Sequence, residues 1–447
     1  MRPLLFHALI PAYVLLCLLL GGSGQGIWRE LVLQLIALVL IGWAGWMSAR
    51  RKPSPTRQPL LSILALGTVS LVTLQFVPLP PAVWVQLPGR DFVVAGFQLL
   101  GLPLPWLTLS LSPHDSLSSA LALLPPVAIL LGMLQLHAYR SDWCAAALLG
   151  ATLIGIVLGA LQTTAGGPYL YPIHNAGAAA GLFANNNHMA SLLVVTIPFL
   201  AALAGSSLER KEWISRLSPA LAGAVLVGVG LMLNGSTAAM VLALPVVLSS
   251  AVVAVPRLWS QRGLILGSTG LAVVLTIALA AVLSTNGWLN VASVADRRDI
   301  FQRTWNAIVE FMPIGSGLGT FQRVYPMFES PELVNRWYVN HAHNDYLEVA
   351  LETGLPGVLL VGLFLYWWCR QSVRLWRASS PNRLALAASI ASAALLLHSA
   401  VDYPLRTSAL AAVFAMCLGL MTSLQVRTEA KLLRGSRHLA LGSEVSA

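Results

Sequence analysis

Long apolar runs recur along the chain, separated by short polar breaks. Twelve runs of 15 to 21 residues stand out: 4–20, 31–48, 60–77, 117–137, 144–162, 187–204, 219–233, 238–255, 264–283, 355–369, 384–400 and 408–425. Most come close to the roughly 20 residues that a helix rising about 1.5 Å per residue needs to cross about 30 Å of hydrocarbon. The pattern predicts an all-α integral membrane protein with about twelve transmembrane helices. The fourth run contains Pro125-Pro126 and predicts a kink there, because proline removes a backbone donor and its ring crowds the preceding turn. No small-residue cleavage site follows the first run, so it reads as a retained helix.

Two of the polar breaks are long. One spans 78–116 and holds Trp84, Pro88-Gly89-Arg90-Asp91 and "LGLPLPWLTLSLSP" (100–113). Its apolar piece 92–102 is too short to span a bilayer and predicts a segment lying in the interface. The other spans 284–354. The predicted organisation is nine helices in 1–283, a large, mainly helical loop at 284–354 carrying the active site, three helices in 355–425, and a basic tail at 426–447 beside anionic lipid.

Composition agrees with this division. The chain is 57% hydrophobic and 10% charged, where a soluble protein carries about a quarter charged residues. The net charge of +10 matters for its placement. With the N-terminus inside, 19 of the 27 basic residues, including all three lysines, fall in alternate loops on one side. This positive-inside bias predicts cytoplasmic termini and removes the reason to read the basic balance as nucleic-acid binding. The cysteines (Cys17, Cys144, Cys369 and Cys417) lie in or at the end of apolar runs with no CxxC pairing, so neither a disulfide framework nor a zinc site is predicted.

Five arginines in the large loop, Arg297, Arg298, Arg303, Arg323 and Arg336, break the topological trend. They are solvated loop charges or they bind an anion. Near them lies "NHAHNDYLEVALETGLPG" (340–357). Asn344 is suited to cap a helix from Asp345 through Glu352, Gly354 to end it, and Pro356 to start the next helix. His341 and His343 then precede a helix N-terminus, where amides and dipole favour an anion. Three readings compete for them: a structural network, a metal site of His-x-His-x-Asp spacing, and a general base beside phosphate-binding arginines. The metal reading has Tyr346 where such motifs often continue with histidine, and no further Cys/His cluster in the loop. "PIGSGLGTF" (313–321) reads as a tight turn, since no strand precedes it and no ribose-binding acid follows. "GLFANNNHMA" (181–190) puts Asn187 and His188 at a helix end on the same side as the loop; helix capping is the simpler account. "HSAVDYPLR" (398–406) puts Asp402 and Arg406 there too, and ionisable groups at a membrane edge are functional candidates.

Taken together, "FANNNHMA" (183–190), "RRDIFQRTW" with "PIGSGLGTF" (297–321), "HAHNDYLEVALETGLPG" (341–357) and "HSAVDYPLR" (398–406) resemble the O-antigen ligase and O-antigen polymerase superfamily. The resemblance spans roughly 100–425, and its His-Asn-Asp-Tyr-Leu block is the most specific part. It implies a GT-C-like architecture and a metal-independent, inverting glycosyltransferase without cofactor, in the bacterial inner membrane with a periplasmic site. The donor would be a glycan on undecaprenyl diphosphate, and the acceptor a hydroxyl on lipid A–core, a glycan repeat or a protein. His343 matches the family's histidine before asparagine, its proposed base, and His341 is the second candidate beside it; Arg297 matches its loop arginine, with Arg298 beside it. Many members carry Ser-Arg near the end of the helix at 233, where this chain has Ser236-Thr237; that phosphate contact is then missing or comes from elsewhere, with Arg406 and Arg323 the candidates. Asn187, His188, Asn344, Asp345, Glu352 and Asp402 are expected to support the site.

The alternatives within this chemistry are an O-antigen or exopolysaccharide polymerase and a protein O-oligosaccharyltransferase. A rival from another class is a small-anion, bicarbonate-type transporter. That reading predicts inverted repeats and paired broken helices at the midplane; the sequence shows no repeat, and Pro125-Pro126 has no counterpart.

Overall fold

Eleven of the twelve apolar runs fall on helices. The computed structural model describes residues 4–25, 27–50, 59–209, 213–263, 267, 270, 291–330, 339–378 and 382–422. Among the described residues, six helical segments are long and apolar enough to cross a membrane: Ile27–Ala49, Pro113–Leu136, Ser141–Ala165, Asn186–Gly205, Thr237–Ala254 and Asp345–Arg377. Five shorter apolar helices accompany them: Leu4–Leu20, Leu60–Leu74, Ala220–Asn234, Arg383–His398 and Ser408–Thr422. The run at 264–283 lies almost entirely outside the described residues, as do Arg336 and the tail at 426–447. The described part is a mostly helical membrane protein.

The fourth run is interrupted at the proline pair. One helix, Pro113–Ala122, ends before Leu123, and a second, Leu124–Leu131, begins with Pro125 in its first turn. A proline there gives up an amide that has no intrahelical partner anyway. A π turn, Gly132–Leu136, follows. The segment is therefore built from pieces.

Among the described residues, sheet is confined to one antiparallel ladder, with Pro78 opposite Thr108 and Leu79 opposite Leu107. It closes the base of the 78–116 loop. Within that loop Trp84 donates to the Pro105 carbonyl at 2.9 Å. Helix Asp91–Leu99 buries none of its side chains, and Leu99 is 88% exposed.

Helix Asn186–Glu209 packs against Trp213–Asn234, Thr237–Ala254 and Arg383–His398. Ala385, Ala387, Ala388, Ala391 and Ala394 are all buried on Arg383–His398. Lipid tails are as apolar as leucine, so helices in a bilayer associate through close packing, and small residues permit the approach. The hydroxyls of Ser389 and Ser392 bond back to Leu386 and Ser389 carbonyls of their own helix.

A second, smaller core lies beyond the bundle. Ile300, Ile308 and Phe311 of helix Val291–Phe311 pack with Phe321, Val324, Tyr325, Ala342 and Leu351. Fully burying each phenylalanine from water contributes about 1.5–3 kcal/mol. This core holds the glycine-rich turn against the first part of helix Asp345–Arg377. Ser316 and Gly317 amides donate to the Leu351 and Glu352 carbonyls, both at 2.9 Å, and the Leu355 amide donates to Pro313 at 2.8 Å.

Candidate functional site

The site begins with the cap that the sequence predicts. Asn344 Oδ1 accepts from the Tyr346 and Leu347 amides, both at 3.0 Å. A helix started there carries Asp345, Glu348 and Glu352 at spacings that return them to one face. All three are buried. At Gly354, with φ 59° and ψ −153°, the helical geometry breaks, and the chain continues as the apolar part of the helix.

The buried carboxylates meet one guanidinium. Arg406 lies in the short 3-10 turn Pro404–Arg406. Its Nε is 3.6 Å from Asp345 Oδ1, and its Nη1 is 3.5 Å from Glu348 Oε1 and 3.1 Å from Glu352 Oε2. Burial alone would lower the Arg406 pKa, but the three carboxylates hold it above the ordinary arginine value. The fork expected to hold phosphate is thus engaged by the protein's own carboxylates.

Glu348 also reaches a histidine. Its Oε1 lies 2.8 Å from His341 Nδ1, and its Oε2 accepts from the Ala342 amide at 2.9 Å. The Asp345 carboxylate accepts from the Ser399 hydroxyl at 2.7 Å. Asn344 Nδ2 donates to the Ala400 carbonyl at 2.9 Å. These bonds fasten the 340–354 stretch to the turn after helix Arg383–His398.

Asp402 is the second centre and is fully buried. Asn187 Nδ2 donates to its Oδ2 at 2.6 Å and the Tyr403 amide to its Oδ1 at 2.9 Å. His343 Nδ1 stands 3.4 Å from Oδ1, and an Arg297 guanidinium nitrogen 3.8 Å from Oδ2. Burial pushes the Asp402 carboxyl up, but the adjacent His343, His188 and His398 outweigh it and hold it well below the usual carboxylate range. His343 itself has φ 50°, a left-handed conformation that costs a non-glycine residue about 1–2 kcal/mol. Such strain persists where surrounding structure enforces it, which is common at functional sites.

Tyr403 joins the two centres. Its ring lies 4.2 Å from His341, 5.1 Å from His343 and 4.9 Å from His188, centroid to centroid. Asn185 and Asn340 side-chain amides both donate to its hydroxyl at 3.2 Å. Burial, with Asp402 adding to it, pushes its pKa up to about 12, so it stays a neutral phenol at neutral pH. His188 is buried beneath it, and His398 bonds Ser191 at 2.7 Å.

The arginines separate into groups. Arg297 points at the cluster with a side chain 30% exposed, and Arg298 beside it is exposed. Arg303 is pinned by Asp299 at 2.6 Å and the Phe328 carbonyl at 2.7 Å. Arg323 is 67% exposed and pairs with Asp115 at 2.9 Å. Ser236 caps helix Thr237–Ala254 through the Ala239 amide.

The structure brings together His341, His343, Arg297, Asn187, His188 and Asp402, and beside them Asn344, Asp345, Glu352 and Arg406. The sequence reading passed over Glu348, Tyr403, Asn185 and Asn340. Glu348 was findable, since it stands one helical turn from Asp345 on the same face. Tyr403 follows Asp402 directly, but its ring contacts with the histidines arise only from the fold. Among the described residues, no group of three or more His, Cys, Asp or Glu is placed to hold a metal ion.

Comparison with known proteins covers one half of this arrangement. No curated protein matches the chain. Residues 222–362, which contain Arg297, Arg298, the glycine-rich turn, His341, His343 and Glu348, match the family model described as O-antigen ligase, which bears out the resemblance to the O-antigen ligase superfamily.

Proposed function

We propose that this protein transfers a glycan from an undecaprenyl-diphosphate carrier to an acceptor hydroxyl at the periplasmic face of the bacterial inner membrane. The observation that carries this reading is the convergence of His341 and His343 with Arg297 and buried Asp402 at one end of an apolar bundle. A diphosphate is already a good leaving group, so the reaction needs alignment, proton removal and neutralisation of growing charge. An imidazole of the histidine pair takes the acceptor hydroxyl proton. The acceptor oxygen forms a bond to the anomeric carbon as the bond to the diphosphate oxygen breaks, and its electron pair leaves with the diphosphate. Such a displacement inverts the anomeric centre. Arg297 and Arg298 hold the phosphates, a task suited to arginine's planar fork. Asp402 keeps Arg297 and His343 in register, while Arg406 balances buried carboxylates.

Lipid A–core, a second glycan repeat and a protein hydroxyl are acceptors for the same chemistry. An assay with purified protein in vesicles, a lipid-linked oligosaccharide and each acceptor class tests the reading. The wild-type protein should move the glycan, and His343→Ala and Arg297→Ala should lose most of that activity. Full transfer by both variants would refute the assignment.

A further inference from the structure

The two histidines are not equivalent in their surroundings. His343 Nδ1 is buried without a hydrogen-bond partner among the described residues, 3.4 Å from an Asp402 already engaged by Asn187, the Tyr403 amide and Arg297. His341 Nδ1 sits 2.8 Å from a carboxylate oxygen of Glu348, which is 1% exposed. An ionised carboxylate can only accept, so this bond keeps the hydrogen on Nδ1 and the lone pair on Nε2. A base whose second nitrogen is fixed by a buried acid is the arrangement that holds an imidazole in its proton-accepting tautomer.

Glu348 is in turn fixed on every side. The Ala342 amide donates to its other oxygen at 2.9 Å, and Arg406 Nη1 lies 3.5 Å away. Asp345 and Glu352 flank it on its own helix, and Tyr403 lies across from it against His341. The Tyr403 ring, 4.2 Å from the imidazole, limits its rotation from another side.

From this geometry we infer that Glu348 is a positioning residue for His341, and that the His341–Glu348 pair is the proton acceptor of the transfer reaction. The inference rests on the glycan-transfer reading above and deepens it. The acceptor hydroxyl gives its proton to His341 Nε2 while its oxygen bonds the anomeric carbon; the diphosphate departs with the electron pair of the broken bond. His343, beside Asp402 and Arg297, then lies on the phosphate side of the site.

A double-mutant cycle on the full-length protein in vesicles separates this from a merely structural role. Glu348→Gln should lower kcat about 10²-fold, within the range of general-base catalysis, with KM for the lipid-linked donor nearly unchanged. Asp345 and Glu352 still flank Arg406 in that variant, so its melting transition should survive. His341→Ala should lose as much or more, and adding Glu348→Gln to it should cost nothing further. Losses that multiply in the double variant, or wild-type kcat in Glu348→Gln, overturn the proposal. If Glu348→Gln does not fold, ¹⁵N spectra of histidine-labelled wild-type protein decide: the His341 signals, assigned by their loss in His341→Ala, should show hydrogen on Nδ1, and hydrogen on Nε2 alone would refute the pair. Transfer surviving His341→Ala but not His343→Ala would refute the pair and leave the glycan-transfer reading standing. Transfer surviving both would refute both.

Discussion

Asn187 and Asp402 are 215 residues apart in sequence and 2.6 Å apart in space. This bond ties the start of helix Asn186–Glu209 to the turn after helix Arg383–His398, and both Arg297 and His343 then address the same carboxylate. Asp402→Asn should therefore weaken the protein and the site together. Hydrogen bonds to a charged group contribute about 1.5–3 kcal/mol each, so the loss should be on the order of 3 kcal/mol in thermal or denaturant unfolding. Transfer should fall with it.

The same residue sets a pH dependence. Its folded pKa is depressed, so its contribution to stability is fully present above the unfolded carboxyl pKa of about 3.9 and is lost as pH falls below that, through the folded value. The stability difference between wild type and Asp402→Asn should stay constant from pH 8 to about pH 5 and shrink only on further acidification. A difference already shrinking between pH 7 and 6 would contradict the depressed pKa.

Arg406 and Arg297 should behave oppositely. Removing Arg406 leaves Asp345, Glu348 and Glu352 buried together without their cation. Breaking one buried pair costs about 3–5 kcal/mol, so Arg406→Ala should lose its folding transition or express poorly. Arg297 is partly exposed and stands 3.8 Å from the Asp402 carboxylate. Arg297→Ala should fold normally and raise KM for the lipid-linked donor about 10- to 100-fold, the value of one charged hydrogen bond. Melting curves and donor titrations of the two variants distinguish the roles.

What the sequence revealed follows from what each signal depends on. Helix positions were legible because a bilayer demands long apolar runs, and eleven such runs became helices. The Asn344 cap and the Gly354 break were legible because both act on their own backbone. Arginine roles were not. Arg303, Arg323 and Arg406 look alike in sequence, yet Asp299, Asp115 and the 345–352 carboxylates engage them only once distant segments meet. The face that Glu348 shares with Asp345 was legible too, but its pairing with His341 was not, since a helix face predicts burial and not the imidazole that meets it there.

His343 offers a test of stored strain. Its φ of 50° suits glycine better than histidine. His343→Gly removes about 1–2 kcal/mol of backbone strain and adds about 0.5–1 kcal/mol of backbone entropy cost. Stability should thus stay within about 1 kcal/mol of wild type while transfer drops at least tenfold. A large loss of stability would mean that the imidazole itself holds the loop.

Gly354 tests the joint between the site and the bilayer. Its φ is 59°, and a Cβ there would collide with the Pro313 carbonyl and the backbone of Ile314 and Gly315. Gly315 faces it with φ 88°, and a Cβ on that residue would meet the Gly354 amide at 2.6 Å. The two glycines let two backbones touch, and that contact sets where Asp345–Thr353 ends and the apolar helix begins. Gly354→Ala combines the left-handed penalty of about 1–2 kcal/mol with a clash against backbone, which cannot rotate away as a side chain can. Destabilisation should exceed 2 kcal/mol, roughly the sum of the strain and even a small displacement. Because Glu352 and Leu351 carbonyls hold the glycine-rich turn, the same variant should also misplace Arg406 relative to Glu352 and lower transfer more than its loss of folded protein explains. Near-wild-type melting in Gly354→Ala would show that the turn and the helix are not locked together in this way.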